Sequence, residues 1–415
     1  MSRRTLSRRD FLLRTCASCG ALLAGGALLS APGGFARLLP GASSALAAGD
    51  PLADLIRRAP RARYWVSSAS ADCAACHPAG SLAAGAKPAH KRTVVRCQLC
   101  ARGCTLAEGE RGMCRARIHV NGELKSLVYG RPMAIHVDPI EKKPFYHFLP
   151  GAAAYSLATS GCPLRCKFCQ NWEISQARPE DYEQAPLPPA SVARAAVGRQ
   201  APVIAFTYNE PTVFTEYLTD IARAGRPLAR RSVLISCGFM NEAPLAEMCE
   251  VLDAIKIDLK GYSEDFYRDV CGAELKPVLR SIRQVARSRV HLEIVNLVVP
   301  TLNDSPKMLT ELSKWVAGEA GPDVPVHFTR FHPDYQLPNL PPTPVATLER
   351  AREIALQQGV RFAYVGNVPG HPGNNTLCPK CGRAVIERDG LFVTGTHMKD
   401  GRCAYCSQAI PGVWR

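Results

Sequence analysis

Seven apolar runs of strand length, at residues 154–159, 203–207, 232–236, 254–259, 291–299, 324–330 and 361–365, recur along this chain, and helical patterns separate most of them. No other feature limits the fold as strongly. Repeated strand-then-helix units of this size build a parallel sheet with helices outside, and six or seven of them make a full or partial β/α barrel. The helical faces can be read directly. After Pro211, the residues Val213, Phe214, Tyr217, Leu218 and Ile221 share one side, as do Leu245, Met248, Cys249 and Leu252. Met308, Leu309, Leu312, Trp315 and Val316 repeat the pattern, and Gly359 stands where a helix C-cap is expected.

Polar residues collect at the C-terminal ends of these runs, the face that carries catalysis in β/α barrels. In chain order they are Ser160-Gly161-Cys162, Tyr208-Asn209-Glu210-Pro211, Ser236-Cys237-Gly238-Phe239, Asp258-Leu-Lys260, Asn303-Asp304, Arg330-Phe-His332-Pro-Asp334 and Gly366-Asn367. One polar strand end is a solvated loop as readily as a site. Seven in register point to a site.

The first of these ends carries Cys162-x3-Cys166-x2-Cys169. A cubane [4Fe–4S] cluster takes one thiolate per iron, so three from a compact loop leave one iron open to a small molecule. A closed site with a distant fourth cysteine and a set of unpaired structural thiols are the competing readings.

Eighteen cysteines would suggest disulfides in an exported protein, but their grouping argues for metals. Cys237, Cys249 and Cys271 are isolated and read as small core residues. Cys97-x2-Cys100-x3-Cys104-x9-Cys114 can complete a zinc site or hold a second [4Fe–4S] cluster, and spacing leaves both open. The Asn121-Gly122 pair that follows is a hairpin-turn signal. Cys378-x2-Cys381 and Cys403-x2-Cys406 read as the two knuckles of a structural zinc ribbon. Cys73-Ala-Ala-Cys76-His77 has the pattern that attaches c-type haem, against a disulfide, a redox pair or chance in a low-complexity stretch.

The N-terminus reads as a targeting segment. Ser7-Arg8-Arg9-Asp10-Phe11-Leu12 is a twin-arginine pattern, residues 15–36 are uncharged, and Ala45-Leu46-Ala47 offers a cleavage site. This predicts twin-arginine export to the periplasm or cell envelope with no transmembrane domain after signal removal; a retained anchor and a cytoplasmic location are the alternatives. Six arginines and one aspartate in residues 1–47 account for five of the fifteen net positive charges. The body is moderately basic, but no basic run is interleaved with aromatics, which disfavours nucleic acid as a partner.

From about Arg63 to the C-terminus the chain resembles the radical S-adenosylmethionine (SAM) enzyme of the AmmeMemoRadiSam system, a relative of pyruvate formate-lyase-activating enzymes. The residues that carry this are Cys97-Gln-Leu-Cys100 with Gly109-Glu-Arg-Gly112-Met-Cys114, and His136-Val-Asp-Pro-Ile-Glu-Lys-Lys-Pro144. They continue through Cys162 to Gln176, Thr207-Tyr-Asn-Glu-Pro211, Lys256-Ile-Asp-Leu-Lys260-Gly, His327-Phe-Thr-Arg-Phe-His332-Pro and Tyr364-Val-Gly-Asn367 to the terminal ribbon. The resemblance implies a [4Fe–4S] cluster held by Cys162, Cys166 and Cys169, reductive cleavage of SAM to a 5′-deoxyadenosyl radical, and hydrogen abstraction from a protein or small molecule. It also implies that Phe168 packs near the adenine and that Asn209 and Glu210 lie at the methionine ammonium. Ser236 and Gly238 match a further SAM contact, and Asp258 with Lys260 match a motif near the methionyl carboxylate or a bound cation. For Glu210 a helix cap, and for Asp258 with Lys260 a barrel ion pair, are the bland alternatives. The implied partners are a flavodoxin or ferredoxin as electron donor, a protein substrate, and Memo-like and AMMECR-like proteins of the same system. Leader, haem-like insert and Cys237, where the activase relatives usually carry Asn, depart from the family pattern.

The expected organisation is a signal segment at 1–47, a linker with the CxxCH insert at 48–92, a Cys-rich metal-binding segment at 93–150, the radical SAM barrel at 151–370 and a zinc-ribbon-like module at 371–415. Two other function classes compete: an exported multi-cluster electron carrier without SAM chemistry, and a ribbon module that recognises nucleic acid. The SAM-contact positions, above all Glu210, discriminate against the carrier, and the ribbon is short, with few basic residues.

Overall fold

The computed structural model describes residues 50–68 and 93–415. The twin-arginine segment and Cys73, Cys76 and His77 lie outside the described residues. Among those described, no helix is long and apolar enough to cross a membrane.

The chain begins with α1 (Pro51–Arg58), capped by the Asp50 carboxylate on the Leu52 amide at 3.0 Å. Strands β1 (Trp65–Ser67), β2 (Val94–Cys97) and β3 (Thr105–Ala107) form an antiparallel sheet in which Trp65 faces Cys97 and Val94 faces Ala107. Part of the stretch expected as a linker is therefore built into the Cys-rich segment. β4 (Arg117–Val120) and β5 (Glu123–Ser126) pair across Asn121 and Gly122, whose φ angles of 54° and 76° are the left-handed pair that a tight hairpin requires. Arg117, 1% exposed, forms an ion pair with Glu216, and the Arg63 amide donates to the same carboxylate at 2.8 Å.

The main sheet has eight strands in the order β13-β12-β11-β10-β9-β8-β7-β6. Seven are parallel: β7 (Ala153–Ala158), β8 (Val203–Phe206), β9 (Arg231–Ser236), β10 (Ala254–Asp258), β11 (His291–Val298), β12 (Val326–Arg330) and β13 (Ala363–Gly366). These are the seven expected runs, each within two residues of its sequence bounds. The eighth, β6 (Ala134–Pro139), lies antiparallel on β7 with Ala134 opposite Ala158. Periodicity gave no sign of it, because Ile135 and Val137 of this edge strand are exposed rather than part of an apolar run. β6 and β13 are the two edges, so the sheet is open and the closed-barrel alternative is not formed. All four side chains of β8 are buried, as expected for a parallel strand covered on both faces.

Helices α2 (Pro189–Gly198), α3 (Thr215–Gly225), α4 (Glu242–Val251), α5 (Leu275–Ala286), α6 (Pro306–Trp315) and α7 (Val345–Gln357) connect the strands. The expected apolar faces pack inward: Tyr217, Leu218, Ile221, Leu245, Met248, Leu309 and Leu312 belong to one core with Ile204, Phe206, Leu234 and Ile257 of the sheet. Gly359 follows α7 with φ 94°, as its C-cap position demands.

The C-terminal module carries β14 (Thr376–Leu377), β15 (Ala384–Asp389), β16 (Phe392–Thr396), β17 (Met398–Lys399) and β18 (Arg402–Cys403) in two antiparallel sheets. A buried carboxylate ties the segment before β7 to the barrel: Glu293 accepts from the amides of Tyr146 and His147 at 3.0 and 2.8 Å and pairs with His327 Nε2 at 2.6 Å. Arg388 of β15 donates to the Tyr146 carbonyl at 2.8 Å, which joins the module to the same segment.

Candidate functional site

The chain leaves β7 through Thr159, Ser160 and Gly161, and the glycine has a specific reason to be there. Its φ is 95°, and a Cβ would lie 2.2 Å from the carbonyl oxygen of Cys114. The loop that follows is pinned by its own backbone, with the Arg165 and Lys167 amides donating to the Cys271 and Val270 carbonyls at 2.9 Å each. Cys162, Cys166 and Cys169 all line one cavity of about 520 Å³ at the C-terminal end of the sheet. The Leu164 amide points at Cys162 Sγ at 3.4 Å, and Cys169 Sγ lies 3.8 Å from Ser175 Oγ. Burial, followed by the nearby Glu210 charge, pushes the Cys162 thiol well up. Bonding to iron would relieve that cost by replacing the proton. Three soft donors on one wall of a roomy cavity, with a backbone N–H on one sulfur, fit a cluster with an open iron.

Asn209 and Glu210 stand between β8 and the turn that leads to α3. Asn209 Nδ2 donates to the Gly161 carbonyl at 2.8 Å, while its Oδ1 is buried without a partner. Glu210 lines the cavity but is 2% exposed and heavily engaged. Its Oε1 accepts from the Thr212 amide and hydroxyl at 3.1 and 2.6 Å and from Ser236 Oγ at 2.8 Å, and its Oε2 accepts from the Cys237 amide at 2.7 Å. The capping alternative is thus present in the geometry. Of the roughly four lone-pair positions of a carboxylate, one on Oε2 remains open. The Ser236 hydroxyl is occupied between Glu210 and the Gly238 amide (2.9 Å), so Ser236 and Gly238 support the Glu210 wall and do not line the cavity.

The floor carries Asp258 between two lysines. It pairs with Lys256, and Lys260 Nζ lies 3.4 Å from its other oxygen. Burial alone would raise the Asp258 carboxyl; the two ammonium groups outweigh it and hold it below its ordinary value. The ion-pair geometry and a place in the cavity wall coexist here. Phe168 completes the wall, 5% exposed, stacked on Phe266 at 6.3 Å with the Lys260 ammonium 5.6 Å from its ring.

Some residues in or behind the cavity wall have no role assigned by the sequence. Cys237 is buried as a core residue should be, yet it lines the cavity. Cys271, fully buried, hydrogen-bonds the Cys166 thiol and holds it below its ordinary value. Lys143 Nζ, on a side chain 2% exposed, sits 2.6 Å from Asp138 and 3.2 Å from Tyr208 Oη, where burial brings its pKa down to about 8. The Lys142-Lys143-Pro144 stretch was visible as a pattern without a role. Of the other polar strand ends, Asn367 lines the cavity, whereas Asn303 and Arg330 bond backbone carbonyls.

The two cysteine quartets differ. In the C-terminal module the four thiols of Cys378, Cys381, Cys403 and Cys406 all lie within 4.8 Å of one another, with Cys378 to Cys406 at 3.5 Å and Cys381 to Cys403 at 3.8 Å. A tetrahedron built on metal–sulfur bonds of about 2.3 Å has edges of about 3.8 Å, so this group fits a single tetrahedral ion. Cys97, Cys100, Cys104 and Cys114 instead ring a small void between the N-terminal sheet and the loop after β7.

A match to the Radical SAM superfamily spans residues 156–312. An uncharacterized protein of Methanocaldococcus jannaschii is 41% identical over 318 residues, 76% of this chain and 95% of that one. The pyruvate formate-lyase 1-activating enzyme of Escherichia coli is 22% identical over 219 residues, 49% of this chain and 89% of that one. Among solved structures, a domain of pyruvate-formate lyase-activating enzyme from Bacteroides vulgatus superposes with a TM-score of 0.36 at 17% identity, over 39% of this chain and 98% of that chain.

Proposed function

The chain belongs to the radical SAM superfamily and is an enzyme of that type, and from that premise we propose that Cys162, Cys166 and Cys169 hold its [4Fe–4S] cluster and that the cavity beside them takes SAM and the substrate. When bound, such a cluster supplies the electron that cleaves SAM to methionine and a 5′-deoxyadenosyl radical. The chain's own residues bind and orient. Asn209 Oδ1, buried and without a partner, and the open position on Glu210 Oε2 offer two acceptors to the methionine ammonium. Lys256 and Lys260 bring positive charge to the methionyl carboxylate, with Asp258 fixing both ammonium groups in place. Phe168 and Leu164 close the apolar side and keep water from the radical. Lys143 also lines the cavity.

The observation that carries this reading is the juxtaposition of three thiols and an unpartnered amide oxygen in one cavity. An electron carrier would have no use for the Asn209 acceptor or for the volume in front of it. The direct check is SAM binding to reconstituted protein: Asn209→Ala should weaken it while leaving cluster absorbance intact, and unchanged affinity would remove Asn209 from the site.

Hydrogen abstraction from a protein substrate, as in glycyl-radical activation, is the favoured second half-reaction, supported by the similarity to activating enzymes. Membership of the AmmeMemoRadiSam system, with Memo-like and AMMECR-like partners and a flavodoxin or ferredoxin donor, rests on the sequence patterns given above. We place a zinc ion at the C-terminal quartet. Twin-arginine export remains part of the proposal, with the domain boundaries set out above.

A further inference from the structure

We propose that Cys97, Cys100, Cys104 and Cys114 hold a second, fully protein-ligated [4Fe–4S] cluster that relays single electrons to the cluster of the Cys162 loop. The inference rests on the placement of the catalytic cluster at Cys162, Cys166 and Cys169. Its first support is spacing. Among the described residues, the C-terminal quartet is the group whose thiols close to within 4.8 Å of one another, as a single ion demands. The N-terminal quartet is not drawn together in that way, and in this it behaves as the Cys162 triplet does. Its thiols line a common void with Gly112, beyond whose missing Cβ lie the Cys114 and Cys104 sulfurs at 3.6 and 3.8 Å.

Charge is the second support. Arg102 and Arg117 line the same void, and the Nε of each is buried without a hydrogen-bond partner. Arg117 is 1% exposed. Four thiolates around a cluster carry a net negative charge; Arg102, whose guanidinium meets backbone carbonyls, would offset part of it, while Arg117 shares its charge with Glu216.

Contact is the third. The Cys114 carbonyl oxygen occupies the space that a Cβ on Gly161 would need, one residue before Cys162. Arg165 donates to the carbonyls of Met113 at 2.6 Å and Cys162 at 2.8 Å, and Arg102 donates to the Pro163 carbonyl at 2.9 Å. The two cysteine loops are thus held together by arginine side chains that donate to backbone carbonyls of both. A low-potential flavin or iron–sulfur donor protein loses one electron to the quartet's cluster, which then passes it on and returns to its oxidised state; no bond is made and no proton moves.

The test uses the full chain, reconstituted anaerobically with iron and sulfide. Cys162→Ala/Cys166→Ala/Cys169→Ala should retain about four irons and four sulfides at the quartet, giving an electron paramagnetic resonance signal on reduction that SAM leaves unchanged. Cys100→Ala/Cys114→Ala should keep a signal that SAM shifts. The reduced unmodified chain should show a spectrum broadened by coupling between the centres, not the sum of the two variant spectra. Zinc in place of iron in the triplet variant, or a simple sum, overturns the proposal. If the quartet variant fails to fold, the triplet variant still decides whether iron or zinc is held. A quartet-variant signal that SAM does not move would instead overturn the catalytic placement.

Discussion

Glu210 Oε2 accepts a hydrogen bond from the Cys237 amide at 2.7 Å, joining the end of β8 to the end of β9 at the rim of the cavity. Together with the bonds to Thr212 and Ser236, this gives one carboxylate two duties, a structural one within the wall and an electrostatic one toward the cavity. Substitution separates them. Glu210→Ala strands the Ser236 hydroxyl and the Cys237 amide and should cost about 1–3 kcal/mol of stability as well as SAM affinity. Glu210→Gln keeps an acceptor and should cost less stability while losing SAM affinity to a similar degree, because the charge is gone. Thermal unfolding and SAM titration on both variants check this; a Gln variant with full SAM affinity would leave Glu210 with capping alone.

Gly161→Ala should disturb both cysteine loops at once. The new methyl group would meet the Cys114 carbonyl at 2.2 Å, and the backbone at φ 95° would be strained in any case. The expected result is a lower melting temperature and a loss of iron from the reconstituted chain. A variant with unchanged iron content and stability would show that the two loops are not held in contact.

The strand rhythm was legible because parallel strands are buried on both faces and read as continuous apolar runs. β6 was not, since an edge strand with Ile135 and Val137 exposed has no such run. The thiols of the Cys162 loop and the Asn209-Glu210 pair could be placed because they follow strand ends directly. Cys271 could not: it reaches Cys166 from the end of a short helix more than 100 residues further along the chain, and no local pattern marks that meeting. Nor could spacing foretell that Ser236 would spend its hydroxyl on Glu210 and Gly238.

The C-terminal quartet should hold one zinc ion per chain that survives removal of iron. Cys403 is 2% exposed, so Cys403→Ser should lose the metal and lower the melting temperature, while the 520 Å³ cavity is left intact. Metal analysis of the variant and of the parent chain decides this. One iron in place of zinc at this quartet would contradict the zinc assignment, and several irons with sulfide would contradict the single-ion reading.

Lys143 sets a pH dependence. Burial brings its pKa down to about 8 from the ordinary 10.5, with Asp138 recovering part of the loss. Between those values the folded state is neutral at this site while the unfolded chain still binds the proton. The unfolded state therefore binds more protons, and the contribution of Lys143 to stability rises with pH through that window. Relative to Lys143→Met, the parent chain should gain up to about 1.4 kcal/mol per pH unit between about pH 8 and pH 10. Denaturant unfolding of both proteins across that range measures it, and parallel profiles would mean that Lys143 is not desolvated.

The central claim is that the Cys162, Cys166 and Cys169 thiols hold the cluster at which SAM is cleaved. It is tested most directly by measuring 5′-deoxyadenosine from dithionite-reduced, reconstituted protein with these three cysteines replaced by alanine, the metal of the C-terminal quartet serving to report an intact fold. Production should fall to background in the variant and persist in the parent chain; undiminished 5′-deoxyadenosine from the variant would contradict the account.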